Sequence, residues 1–67
     1  MTLNRHAVNE HLAQAKAQRK TISPLDHDAR TINRLLISYY QRTLDLDEIG
    51  EIDEYTLRLL PKEYVND

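Results

Sequence analysis

Three histidines, eleven carboxylates and a few hydroxyls are the side chains of this 67-residue chain that could do chemistry. Their spacing assembles little of it. His6 and Glu10 are four apart, so one side of a helix could offer both to a metal. Two such ligands lack an obvious third, and His11 and His27 complete no metal signature. Asp45, Asp47, Gly50, Ile52 and Asp53 fall at spacings 1, 3, 6, 8 and 9 of a calcium-binding loop. Ile49 then stands at the fifth position without a side-chain oxygen, and Thr56 stands where a bidentate Glu is needed. The segment reads as an acidic turn with one glycine. No Ser or Thr lies in a nucleophile elbow. Gly50 is the only glycine, so a phosphate-cradling Gly-rich loop is excluded. A chain this short also lacks the depth for a water-excluding pocket. The expectation is no catalytic residue, no metal, no cofactor and no enzyme activity.

What the side chains favour is binding. Tyr39, Tyr40 and Arg42 cluster within four residues, and Tyr and Arg dominate binding hot spots because they join buried area to directional polar contacts. Adjacent helical positions lie about 100° apart, so one tyrosine can pack inward while the other meets a partner beside Arg42. Lys16, Arg19 and Lys20, with Arg30 and Arg34, could touch phosphates, and two helices joined by a short turn invite a helix-turn-helix reading. The connection holds Pro24 and no Gly, however, and Asp26 and Asp28 would set carboxylates against the DNA backbone. A net charge of −2 points the same way. Direct nucleic-acid binding is not expected. The charge is uneven: most cations precede Thr43, whereas Asp45, Asp47, Glu48, Glu51, Asp53 and Glu54 follow it. That pattern suits a mixed-charge docking face or two solvated faces.

Three helices would position these residues within a single small domain, residues 1–67. The first, about residues 4–20, is rich in Ala and free of Gly and Pro. Asn4 or Thr2 could cap it, and Lys16, Arg19 and Lys20 suit its negative end. Its apolar face is thin (Val8, Leu12, Ala15), so it reads as a covering helix with a fraying start. Ser23-Pro24-Leu25-Asp26 resembles a capping box with Pro at the first helical position. The second helix is therefore expected at about 24–46, with Asp26 and Arg30 paired on its surface. It carries Leu25, Ala29, Ile32, Leu36, Tyr39, Tyr40 and Thr43 in one stripe, flanked by Leu35 and Leu46 on one side and Ile37 and Leu44 on the other. The apolar arc spans about 200°, twice that of an ordinary one-sided helix. Gly50 is a candidate for positive φ. Asp53 can cap a short third helix to about Leu60, with Ile52, Tyr55, Leu59 and Leu60 inward and Pro61 as its stop. Tyr64 and Val65 make a last anchored turn.

Below about 70–80 residues, one core rarely supplies more than about 3–5 kcal/mol. The chain has no Cys, so a disulfide cannot help. A second subunit can. The fold class expected is all-α, two main helices plus a short third, as a homodimer paired through Leu25, Ile32, Leu35 and Leu36. No apolar run reaches the about 18 residues of a membrane span, and Met1 to His6 lack a signal-peptide core. The expected place is the cytoplasm, with no membrane partner.

In length, acidic helical character and the segment Ile37-Ser38-Tyr39-Tyr40-Gln41-Arg42-Thr43, the chain resembles the short quorum-sensing anti-activators encoded by phages of pseudomonads. That resemblance implies a helical homodimer in the bacterial host that binds a LuxR-type transcription activator and blocks its DNA binding. It also implies binding to the ATPase that drives type IV pilus assembly, which gives superinfection exclusion. Tyr39, Tyr40 and Arg42, with Arg34 and Arg30, would then form the host-protein contact surface. The alternatives are a small DNA-binding regulator or antitoxin, and an accessory subunit with a structural role.

Overall fold

In the computed structural model, which describes residues 1–67, Asn4 opens the first helix, α1 (Arg5–Arg19), by accepting a hydrogen bond from Ala7 N–H. The start of α1 does not fray. Asn4 N–H donates to the Tyr64 carbonyl at 2.8 Å, and the Asn4 amide donates to the Glu63 carbonyl. These bonds tie the two ends of the chain together. Beside them, β1 (Thr2–Leu3) pairs antiparallel with β2 (Val65–Asn66), Thr2 opposite Asn66 and Leu3 opposite Val65. The chain is mostly helical, but the all-α expectation missed this ribbon. Two-residue strands are too short to leave an alternating pattern.

The second helix, α2, spans His27–Glu48, which corrects the expected start at residue 24. Asp26 N–H donates to the Ser23 carbonyl, and Leu25 N–H to Ser23 Oγ. Ser23-Pro24-Leu25-Asp26 is thus a turn with Pro24 at its second position, where a fixed φ suits it. Asp26, not Ser23, is the cap, accepting from Ala29 N–H at 3.1 Å. With its carboxylate so engaged, Asp26 does not pair with Arg30.

α2 ends in a Schellman closure. Glu51 N–H donates to the Leu46 carbonyl and Gly50 N–H to the Asp47 carbonyl, with Gly50 at φ 75°. The helix α3 (Glu54–Leu59) follows, capped by Asp53 as expected. A single 3-10 turn, Lys62–Tyr64, then delivers the chain to β2.

Leu3, Val8, Leu12, Leu44, Leu57 and Tyr64 form the core, with Ile37, Tyr40, Ile52 and Leu60 half-buried against it. α1 is its spine and not merely its cover, because α2 and the C-terminal segment flank α1. α3 buries Leu57. Tyr55 and Leu59, expected inward, are exposed. So short a helix offers one residue to the core, half-buries Thr56 and turns the rest to solvent.

All six core residues lie where the N-terminal half of α1 meets the C-terminal half of α2. The other end of the hairpin buries only Ala15 and Asn33. The molecule therefore has a closed end and an open one. It measures 41 × 19 × 16 Å, with a radius of gyration of 13.3 Å. A compact chain of this length would have a radius of about 11 Å. The accessible surface is 5109 Å², against about 4,400 Å² for a typical folded monomer of this mass.

Candidate functional site

α2 divides into three strips, and the inward one is rotated from the expected stripe, keeping its Tyr40 and its flanking Ile37 and Leu44. Asn33, Ile37, Tyr40 and Leu44 face α1 and the core. Their 4-3-4 spacing keeps one face toward a neighbouring helix. The expected stripe was centred on Ile32, Leu36 and Tyr39, about 100° away around the helix. Asn33 was passed over as polar. Its amide donates to the Ala15 carbonyl at 2.8 Å and pins α2 to α1, while its own buried Oδ1 has no partner. No sequence signal marks it beyond its place between Ala29 and Ile37.

The second strip is apolar and faces out. Ile32 is 59 % exposed, Leu35 61 % and Leu36 38 %. Tyr39 continues the row at 41 %, and Leu25 sits at its head at 86 %. All four residues expected at a dimer interface are thus on the surface. Beside Leu36, a shallow groove of about 230 Å³ opens between the helices, lined by Gln18, Ile22, Ala29, Ile32, Asn33 and Leu36.

The third strip is basic. His27, Arg30, Thr31 and Arg34 of α2 meet Arg19 of α1 around a cavity of about 210 Å³. Arg30 and Arg34 lie about 160–200° around the helix from Ile32, so this flank faces away from the apolar row. The five residues expected to share one partner surface are split. Tyr39 and exposed Arg42 adjoin the apolar row, Arg30 and Arg34 belong to the basic flank, and Tyr40 turns inward.

Tyr40 joins a polar node that the sequence did not reveal. The Tyr64 hydroxyl donates to the Tyr40 hydroxyl at 3.1 Å and lies in a short hydrogen bond with His11 Nδ1. The rings of His11, Tyr40 and Tyr64 pack edge to face, with centroids 5.1–5.9 Å apart. Burial, then the bond to Tyr40, pushes the Tyr64 hydroxyl well above the usual tyrosine range. Tyr39, 5.4 Å from Tyr40 between ring centroids, is raised by partial burial and then by Tyr40 itself. These contacts join α1, α2 and the chain's end, so the node is a clasp on the fold.

Among the acidic candidates, Asp45 and Asp47 lie in the last turns of α2 and not in a loop. Asp45 accepts from Gln41, and Asp47 pairs with Arg5 at 2.7 Å. Asp53, whose acidity is increased chiefly by the hydrogen bond from Thr56 N–H, is a helix cap. His6 and Glu10 pair with each other at 2.9 Å on the exposed side of α1. No helix is long and apolar enough to cross a membrane.

Compared with protein-family models, curated proteins and solved structures, the chain matches none.

Proposed function

We propose that the chain is a small helical inhibitor that acts by covering another protein's surface, and that it does so as a homodimer. The observation that carries this reading is the outward apolar row of α2. Ile32, Leu35 and Leu36, with Leu25 in the turn just ahead, hold apolar surface in water along a helix about 33 Å long. Fully burying one such side chain stabilises by about 1.5–3 kcal/mol, so a row of four is a large unused driving force. The occupant is a second copy of the chain. The row belongs to one helix, so a two-fold axis can lay it against itself, residue against residue. The surface in excess of a typical monomer is about 700 Å², close to the about 800 Å² per partner of a standard interface.

At the end of the row, Tyr39 and Arg42 present an aromatic ring and a free guanidinium to a target. The resemblance to phage anti-activators supplies the target class: a LuxR-type transcription activator of the bacterial host, held off its DNA by occlusion, with the pilus-assembly ATPase as a second client. The test is a gel shift. The purified activator is bound to its operator and the chain is added at rising concentration. Release of the DNA, weakened by about 1–3 kcal/mol in Arg42→Ala, is the expected result. Arg42 is exposed and unpaired, so the variant keeps its fold. An activator that stays on its DNA at saturating chain refutes this function.

A further inference from the structure

The basic flank is a built cavity, and its charges are placed against the chain's own interest. Arg19, Arg30 and Arg34 converge on it with His27 and the Thr31 hydroxyl, and no carboxylate lines it. Arg19 and Arg30 also border an adjoining depression with Lys16, Lys20 and Ile37. The chain carries eleven acidic residues, yet its three ion pairs, Arg5–Asp47, His6–Glu10 and Arg58–Glu54, use none of these cations. Two carboxylates are close by in sequence. Asp26 is engaged as the cap of α2, and Asp28, two residues from Arg30, points about 160° away around the helix.

Helix electrostatics sharpen the point. Lys16 and Arg19 suit the negative end of α1. Arg30 does not suit its place, because it lies in the first turn of α2, where the helix already presents positive partial charge. At the closed end the same reversal is repaired, since Arg5 at the start of α1 pairs with Asp47 at the end of α2. At the open end the Asp26 cap and Asp28 answer the helix end itself, but no carboxylate pairs with Arg30. Half-buried Arg30 stands between Arg19 and Arg34 with no carboxylate in the cavity. An anion would satisfy all of them.

We propose that this cavity binds a phosphoryl group. The donor set favours phosphate over carboxylate. Three guanidinium forks and a hydroxyl arrive from two helices, and none of the guanidiniums can accept a hydrogen bond. A carboxylate has two oxygens in one plane, which one Arg fork satisfies. A tetrahedral phosphoryl group takes donors from several directions at once. The volume is below the about 300–1,000 Å³ of a drug-sized pocket, so it suits the group alone, free or as part of a larger ester. The site lies on the flank away from the apolar row, and its failure would leave the docking reading untouched.

Backbone amide NMR tests it, with inorganic phosphate titrated at constant ionic strength by exchange against chloride. Saturable shifts at Arg19, His27, Arg30, Thr31 and Arg34 are expected. Arg34→Gln and Arg19→Gln, both at exposed positions, should each weaken binding about tenfold, as loss of one charge-assisted contact requires. Arg58→Gln, on α3, should leave it unchanged. Adenosine monophosphate and a ten-nucleotide oligothymidine then separate the sources. An oligonucleotide that binds more tightly than the monophosphate, with an affinity that falls as salt rises, assigns the site to a nucleic-acid backbone. Equal affinity for the monophosphate and inorganic phosphate assigns it to small phosphate esters. Shifts that chloride reproduces, indifference to Arg34→Gln, or displacement of phosphate by an equal concentration of a hexaglutamate peptide would each overturn the proposal.

Discussion

Asn33 holds α1 and α2 together with one nitrogen and leaves its buried oxygen unpaired. The two effects oppose each other. A typical hydrogen bond contributes about 0.5–1.5 kcal/mol net, whereas a buried polar atom without a partner costs about 1–3 kcal/mol. The Ala15 carbonyl lies inside α1 and can keep its helical bond, so removing Asn33 orphans nothing. The neighbouring groove gives a larger side chain room. Asn33→Leu is therefore expected to be neutral or to stabilise by about 1 kcal/mol, read as a rise in the urea midpoint with an unchanged slope. A loss above about 1 kcal/mol would mean that Asn33 Oδ1 has a bound partner, such as an ordered water. Tyr64 makes the opposite case, since its polar atom is paired. Its hydroxyl is harder to ionise folded than unfolded, chiefly through burial. Above about pH 10 the unfolded chain gives up this proton and the folded chain keeps it. Stability from this group is thus complete at neutral pH and declines as pH rises past that point. In thermal melts between pH 9 and pH 12, the wild-type midpoint should fall steeply and that of Tyr64→Phe less so. Equal slopes would show that Tyr64 ionises as readily in the fold as outside it.

At the scale of elements, the sequence was legible where a local rule sufficed. Asn4 and Asp53 cap α1 and α3, as a side-chain acceptor ahead of an Ala-rich or apolar run suggests. Gly50 takes positive φ. Legibility failed where distant contacts decide. Ser23 and Asp26 both had the chemistry of a cap, and the turn at Pro24 gave that place to Asp26. The inward strip of α2 has helical spacing, but it runs through polar Asn33, whose partner on α1 no pattern within α2 records. The width of the apolar arc marked Leu25, Ile32, Leu35 and Leu36 as more apolar surface than one flank can bury, and all four are exposed. The convergence of Arg19 with Arg30 and Arg34 was visible as composition and not as a cavity, because it depends on how two helices cross. The turn at Gly50 lends itself to a clean test. A β-carbon there would meet nothing within 4 Å, so Gly50→Ala measures backbone strain without a clash. The expected loss is about 1 kcal/mol, from forcing a side chain into left-handed backbone. Gly50→Asn should recover much of it, because Asn tolerates that region. An Ala variant as stable as wild type would show that the Schellman closure does not hold the end of α2 in solution.

The whole molecule is a hairpin closed at one end by the core, the ribbon and the Tyr64 clasp, and left open at the other. Nine of 67 residues are buried, too few for comfort in a chain without disulfides. The open end carries the exposed row of α2, and self-association through that row would complete the fold as well as the function. The consequence can be measured. Light scattering at micromolar concentration should give twice 7.9 kDa, and the thermal midpoint should rise with concentration, as it must when pairing and folding are linked. The informative variant is Ile32→Asp. Ile32 is 59 % exposed in the single chain, so a carboxylate there remains in water while the chain is alone. Across a dimer interface it would lie unpaired in an apolar seam, at a cost of several kcal/mol. The variant should therefore separate into helical monomers, less stable than the dimer but folded by circular dichroism at low temperature. Leu36→Asp, at a more covered position, should dissociate the pair and cost the monomer stability too. A wild-type chain that scatters as a monomer, or an Ile32→Asp variant that stays paired, would move the interface off this row. The exposed apolar surface would then belong to the target alone.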